Sequence, residues 1–136
     1  MFRAEDDLLG LVEATVAAQT LHCVMIDEAQ FLTKKQVYEL SEICDRLDVP
    51  VLAYGLRTDF LGEPFEGSRY LLAWADSLKE IKAICHCGHK ATMVVRADAQ
   101  GNTLRSGSQV EIGGNDRYLS LCRKHFKESL AAAGDS

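Results

Sequence analysis

Two short ligand pairs constrain the fold of this chain more tightly than any other feature. Cys85-His86-Cys87 and Cys122-Arg123-Lys124-His125 are separated by 34 intervening residues. A structural zinc site needs four soft or borderline donors converging on one point, and two turns with two donors each can supply them. Cys122 and His125, at i and i+3, lie on one side of a helical turn. Cys85 and Cys87 need a tight knuckle, which Gly88 permits. His86 and His89 are further candidate ligands. Unmetallated core cysteines beside surface histidines are the alternative reading. Four protein ligands leave no open position for water, so the site reads as structural rather than catalytic. Cys23 and Cys44 fall inside apolar strand and helix patterns and read as small buried hydrophobes.

The five cysteines are an odd count, and the first residues, MFRAEDDLLG, are acidic where a secretory signal is basic. A cytoplasmic, reducing setting is therefore expected, with metal or catalysis ahead of disulfides. The 136 residues carry 15 basic and 20 acidic side chains, a net charge of -5. That balance excludes a general nucleic-acid surface, which needs a basic stripe. No apolar run approaches the roughly 20 residues that span a bilayer, so no membrane partner is expected.

The front of the chain alternates. Leu8, Leu9, Val12 and Val16 share one helix face within residues 4–19, and LHCVMI (21–26) reads as a buried strand. Thr33 and Gln36 have the spacing of a capping box, and Val37, Leu40, Cys44 and Leu47 line the helix that follows. Pro50 ends that helix and opens a second buried strand, VLAY (51–54). Helix, strand, helix, strand predicts an α/β fold with a parallel sheet covered by helices. After Gly55 comes a Gly- and Phe-bearing loop, 55–67, and then a short helix at 69–76. Strands are expected at 78–85 and 91–97, a turn at 98–101, a polar loop at 105–117 and a closing helix from 118. The expected division is a partial nucleotide-binding α/β domain over 1–77 and a zinc-binding lobe over 78–136.

VMIDEAQF ends the first strand on two carboxylates. Ligands of open α/β sheets bind at that edge. There Asp27 can associate with magnesium, and Glu28 can act as a base toward a hydroxyl. An ordinary acidic turn is the competing explanation. The usual companion, Gly-x4-Gly-Lys-Ser/Thr, is not found: no Gly-Lys dipeptide occurs in these residues.

MIDEAQFL (25–32), YGLRTDFLGEPFEGSRYLLAWAD (54–76), the C-x-C at 85–87 and IGGNDRYLSLCRKH (112–125), in that order and spacing, resemble the type II, zinc-containing thymidine kinases, closest to the enterobacterial-type branch. The resemblance runs from about residue 20 to about 128. It implies a P-loop kinase sheet, incomplete here, and a zinc-ribbon-like lobe with a substrate-covering loop. It also implies transfer of the ATP γ-phosphate to the 5′-hydroxyl of thymidine. Glu28 would be the general base, and Asp27, Glu28, Ala29 and Gln30 would lie at the nucleotide phosphates with magnesium. Phe31, Leu56 and Phe60 would line the thymidine pocket. Val110, Glu111, Ile112 and Gly113 would cover the base, with Tyr118 beside it. Cys85, Cys87, Cys122 and His125 would hold the zinc. Phe31, Phe60 and Phe65 read otherwise as loop-anchoring hydrophobes, and Arg57 as either a phosphate- or carboxylate-pairing residue or a surface one. The family's subunits form homotetramers. Its phosphate loop lies on a strand before the helix at 4–19, so this chain is expected to be a shortened form, inactive alone. The rival expectation is a non-catalytic, zinc-bound module that binds thymidine or a partner subunit.

Overall fold

The computed structural model describes residues 2–107 and 117–134. The chain is α/β and divides into two compact units, Met1–Arg57 with Pro64–Leu78, and Thr58–Glu63 with Lys79–Ser136.

The first unit runs α1 (Leu8–Ala18), β1 (Val24–Ile26), a 3-10 turn (Ala29–Phe31), α2 (Lys34–Leu47), β2 (Val51–Ala53) and α3 (Glu66–Trp74). Local chemistry sets the helix starts. Asp7 Oδ1 caps α1 by accepting from the Gly10 N–H at 2.9 Å. Thr33 and Gln36 form the reciprocal capping box that their spacing predicts, with both bonds at 3.1 Å. Two donors at the start of α2 are thereby satisfied. β1 and β2 pair in parallel, Val24 with Val51 through Ile26 with Ala53. The core joins Leu8 and Val12 of α1 to Leu32, Val37, Leu40, Ile43 and Val49. Its apolar burial is the main force holding α1 and α2 together.

Three sequence expectations need correction here. β1 and β2 are not buried on both faces: the register partners Met25 and Leu52 are exposed, because no described element covers that face. Cys23 is exposed and Cys44 only half-buried, so neither is a core hydrophobe. Residues 78–85 form no strand. Ile84 makes one isolated bridge to Lys90, and without a partner strand Ile81 and Ile84 stay exposed.

The second unit is built on an antiparallel ribbon of β3 (Met93–Ala97) and β4 (Arg117–Leu121), followed by α4 (Arg123–Gly134). The start of the expected closing helix, residues 118–121, is thus strand. Cross-strand pairing with β3 satisfies its backbone, and the helix begins only after Cys122. A small core joins Cys85, Val95, Leu121, Cys122 and Phe126. The turn at 98–101 forms as predicted, with Asp98 Oδ1 accepting from the Gln100 and Asn102 N–H groups at 3.0 and 2.9 Å. Among the described residues no helix is long and apolar enough to cross a membrane.

Candidate active site and metal centre

The carboxyl end of β1 carries the acid pair. Glu28 adopts φ 53, ψ 42, the left-handed region that a residue with a Cβ seldom enters. That conformation costs on the order of 1 kcal/mol, so the surroundings must impose it. They do so through a short chain of hydrogen bonds. The Glu28 N–H donates to Asp27 Oδ1 at 2.9 Å, and the Ala29 N–H donates to the Tyr54 carbonyl at 2.8 Å. Gln30, almost wholly buried, donates from Nε2 to Glu28 Oε2 at 2.6 Å and accepts on Oε1 from the Leu56 N–H at 3.3 Å. Asp27 and Glu28 stay exposed, with Ala29 buried beneath them. The result is a carboxylate pair on a rigid base, presented to solvent.

Two glycines permit this packing. A Cβ on Gly55 would stand 2.7 Å from Gln30 Oε1 and 2.8 Å from the Gln30 nitrogen. A Cβ on Gly67 would stand 2.5 Å from the Ala29 carbonyl oxygen and 2.8 Å from that of Leu32. The first turn of α3 therefore lies against the 3-10 turn, backbone to backbone. The sequence places both glycines in the 55–67 loop, whereas α3 begins at Glu66 and takes in Gly67, and their packing role is missed. The signal was there: a small residue wherever two backbones approach.

In this first unit Phe31 and Leu56 are exposed, and the Phe31 ring meets Phe65 edge-on at 5.6 Å between centroids. Phe65 is buried, as a loop anchor should be. In the second unit Tyr118 is exposed and Phe60 is 1% exposed. Val110, Glu111, Ile112 and Gly113, the expected base-covering loop, lie outside the described residues.

The metal-ligand set converges. One donor atom from each of Cys85, Cys87, Cys122 and His125 falls within 4.8 Å of all the others. Cys87 Sγ lies 3.9 Å from Cys122 Sγ, and His125 Nδ1 lies 3.5 and 3.3 Å from Cys85 and Cys122 Sγ. Tetrahedral zinc, with bonds of about 2.3 Å to sulfur and 2.0 Å to nitrogen, sets edges of about 3.5–3.8 Å. The donor set fits that ion. The knuckle predicted at Gly88 is present: its φ is 90°, its N–H donates to the Cys85 carbonyl at 2.8 Å, and the Cys85 N–H donates to the His89 carbonyl at 2.8 Å. Burial pushes the Cys85 thiol up, but hydrogen bonds from the Cys87 and Cys122 backbone and the Cys87 and His125 side chains outweigh it and bring Cys85 down to about 6. A thiolate near neutral pH is the form that binds metal. His86 stacks on His125, with 4.4 Å between ring centroids, and His89 Nδ1 lies 3.2 Å from Cys87 Sγ. Neither belongs to the converging set.

Comparison with known proteins points the same way. The thymidine kinase family model matches residues 3–126. A thymidine kinase from Vibrio cholerae is 59% identical over 130 residues, covering 96% of this chain and 68% of that protein. One from Pasteurella multocida is 57% identical over 131 residues, with the same two shares. One from Rhodopirellula baltica is 60% identical over 129 residues, covering 95% of this chain and 61% of the relative. With identity that high along nearly its whole length, and an acid turn and metal-ligand cluster built as described, this chain belongs to the thymidine kinase family.

Proposed function

We propose that this chain carries the acceptor side of a phosphotransfer site that moves the ATP γ-phosphate to the 5′-hydroxyl of thymidine, giving dTMP. The observation that carries the reading is the Asp27–Gln30 turn: two exposed carboxylates at a strand end, one of them fixed by a buried glutamine. Glu28 accepts the proton of the 5′-hydroxyl, the freed oxygen attacks the γ-phosphorus, and ADP leaves. Gln30 holds Glu28 at the angle that proton transfer needs. Asp27 is an oxygen donor suited to magnesium, which would neutralise phosphate charge when bound with ATP. In the first unit Phe31 and Leu56 contact the nucleoside. Tyr118, exposed on the second unit, and the 110–113 segment are separately proposed as thymine contacts, with Phe60, 1% exposed, as a buried support. A thymine ring has flat apolar faces and a polar imide edge, which suits aromatic side chains and a main-chain loop.

Zinc on Cys85, Cys87, Cys122 and His125 is structural in this reading. It ties the knuckle to the start of α4 in a unit with little apolar core of its own. The ATP-gripping half, a P-loop with its lysine, is not among these 136 residues, which hold no Gly-Lys pair. The proposed setting is cytoplasmic, and the working enzyme a homotetramer.

The test is an assay of ATP-dependent dTMP formation by the zinc-loaded chain, alone and joined in frame to a strand carrying Gly-x4-Gly-Lys-Ser. The expected result is no turnover alone and thymidine-specific turnover when joined. Turnover by the 136 residues alone, or no turnover by the joined chain, contradicts the reading.

A further inference from the structure

Arg96 is buried to 1% exposure on β3, the largest fully buried side chain among the described residues. The phosphotransfer chemistry proposed above gives it no role. Burying a guanidinium is costly unless its surroundings compensate it. Here its carbon lies 3.9 Å from the Phe60 ring centroid and 5.4 Å from that of Tyr118, its cross-strand partner. Its Nε donates to the Tyr118 hydroxyl at 3.0 Å. A Cβ on Gly107 would stand 3.2 Å from Arg96 Nη1 and 3.5 Å from Phe60 Cζ, so that backbone too closes on the pair. A planar, permanently charged group that stacks on rings and donates at its edge suits this place, and an alkylammonium suits it less well.

Phe60 and Tyr118 both have a proposed part in binding thymidine. Phe60 lies in the turn 58–63, where Asp59 Oδ1 accepts from the Leu61 and Glu63 N–H groups, both at 2.9 Å. Tyr118 is on β4. We infer that Arg96 is a positioning residue: by stacking on buried Phe60 and bonding exposed Tyr118 it fastens the 58–63 turn to the β3–β4 ribbon and sets Tyr118 for the base. The positioning of a nucleoside pocket rests on the thymidine reading above. The fastening of the turn does not.

Two measurements on the zinc-loaded 136-residue chain separate these parts. The first is hydrogen exchange. In Arg96→Met the amides of Leu61, Gly62 and Glu63 should exchange roughly tenfold faster, while amides of α4 stay within about twofold. Arg96→Lys, which restores a cation over the ring, should recover to within roughly threefold of the parent. The double variant Arg96→Met/Phe60→Leu should exchange more slowly than the product of the two single effects, because the stack between the two residues is lost in each. Unchanged exchange at 61–63, or additive effects in the double variant, overturns the inference. If Arg96→Met does not fold, Phe60→Leu carries the test, with the same acceleration expected and unchanged exchange overturning it.

The second measurement is thymidine affinity by calorimetry. It should fall roughly tenfold in Arg96→Met, or in Phe60→Leu in its place, and recover in Arg96→Lys. Parent-like affinity in a variant whose 58–63 turn has loosened overturns the positioning role. Failure of the parent chain to bind thymidine counts against the thymidine reading, and the exchange result still decides the role of Arg96 in fastening the turn.

Discussion

The side-chain amide of Gln30 donates to Glu28 Oε2 at 2.6 Å while its own oxygen accepts from the Leu56 N–H at 3.3 Å. One buried side chain thereby fixes both the carboxylate proposed as base and the start of the loop after β2. Gln30→Leu should keep most of the volume and lose both bonds. Two lost bonds, one to a charged group, amount to about 2–3 kcal/mol. Urea unfolding measures this, and a loss below about 0.5 kcal/mol would show that the two bonds contribute little.

Gly67→Ala places a methyl 2.5 Å from the Ala29 carbonyl oxygen and 2.9 Å from that of Gln30. These are backbone atoms and cannot swing aside, so the helix propensity gained is outweighed. The expected loss is roughly 1–3 kcal/mol, a fall of several degrees in thermal midpoint for a chain of this length. An unchanged or raised midpoint would mean that α3 can shift along the 3-10 turn without cost.

Much of this was legible in the residues. Thr33 and Gln36 declared the start of α2, Gly88 declared the knuckle, and short spacing paired Cys85 with Cys87 and Cys122 with His125, because each is a local rule; spacing left His86 and His89 open, and only the family resemblance implied the final set of four. What failed depended on distant partners. The 78–85 segment has the alternation of a strand but finds only one bridge, at Ile84. Met25 and Leu52 have the apolar character of buried strand residues but meet no covering element. The Arg96 stack was invisible because nothing local joins residues 60, 96 and 118.

Metal removal should act on the second unit. Elemental analysis should find one zinc per chain. A chelator should lower protection of β3, β4 and α4 and leave α2 unchanged, as followed by hydrogen exchange. Cys122→Ser should reproduce this and Cys44→Ser should not. Equal effects of the two substitutions would argue against a metal site.

Acid should act on the metal-free chain through Cys85, whose folded thiol is lowered to about 6. A lowered acid stabilises the fold most above its ordinary range, near 9, and loses that contribution as pH falls through about 6. Stability of metal-free protein should therefore rise between pH 6 and 9. A flat profile there would mean that the thiolate is not held by its neighbours.

Glu39 responds in the opposite sense. Burial, then the Asp7 carboxyl beside it, raises it, while Leu9 N–H donates to its Oε2 at 3.3 Å. A raised carboxyl contributes fully below its ordinary range and loses that contribution as pH rises through its folded value. Glu39→Gln removes the titration and keeps an acceptor for Leu9. It should raise the thermal midpoint at pH 8 and change it little at pH 4. Destabilisation at pH 8 would show that the carboxylate is better accommodated than its surroundings imply.

These residues are proposed to hold the nucleoside side of a thymidine kinase site. Calorimetric titration of thymidine into the zinc-loaded 136-residue chain tests it most directly. Saturable binding at one thymidine per chain, with no matching heat from deoxyadenosine, is the predicted result. No thymidine binding by folded, zinc-loaded protein would contradict it.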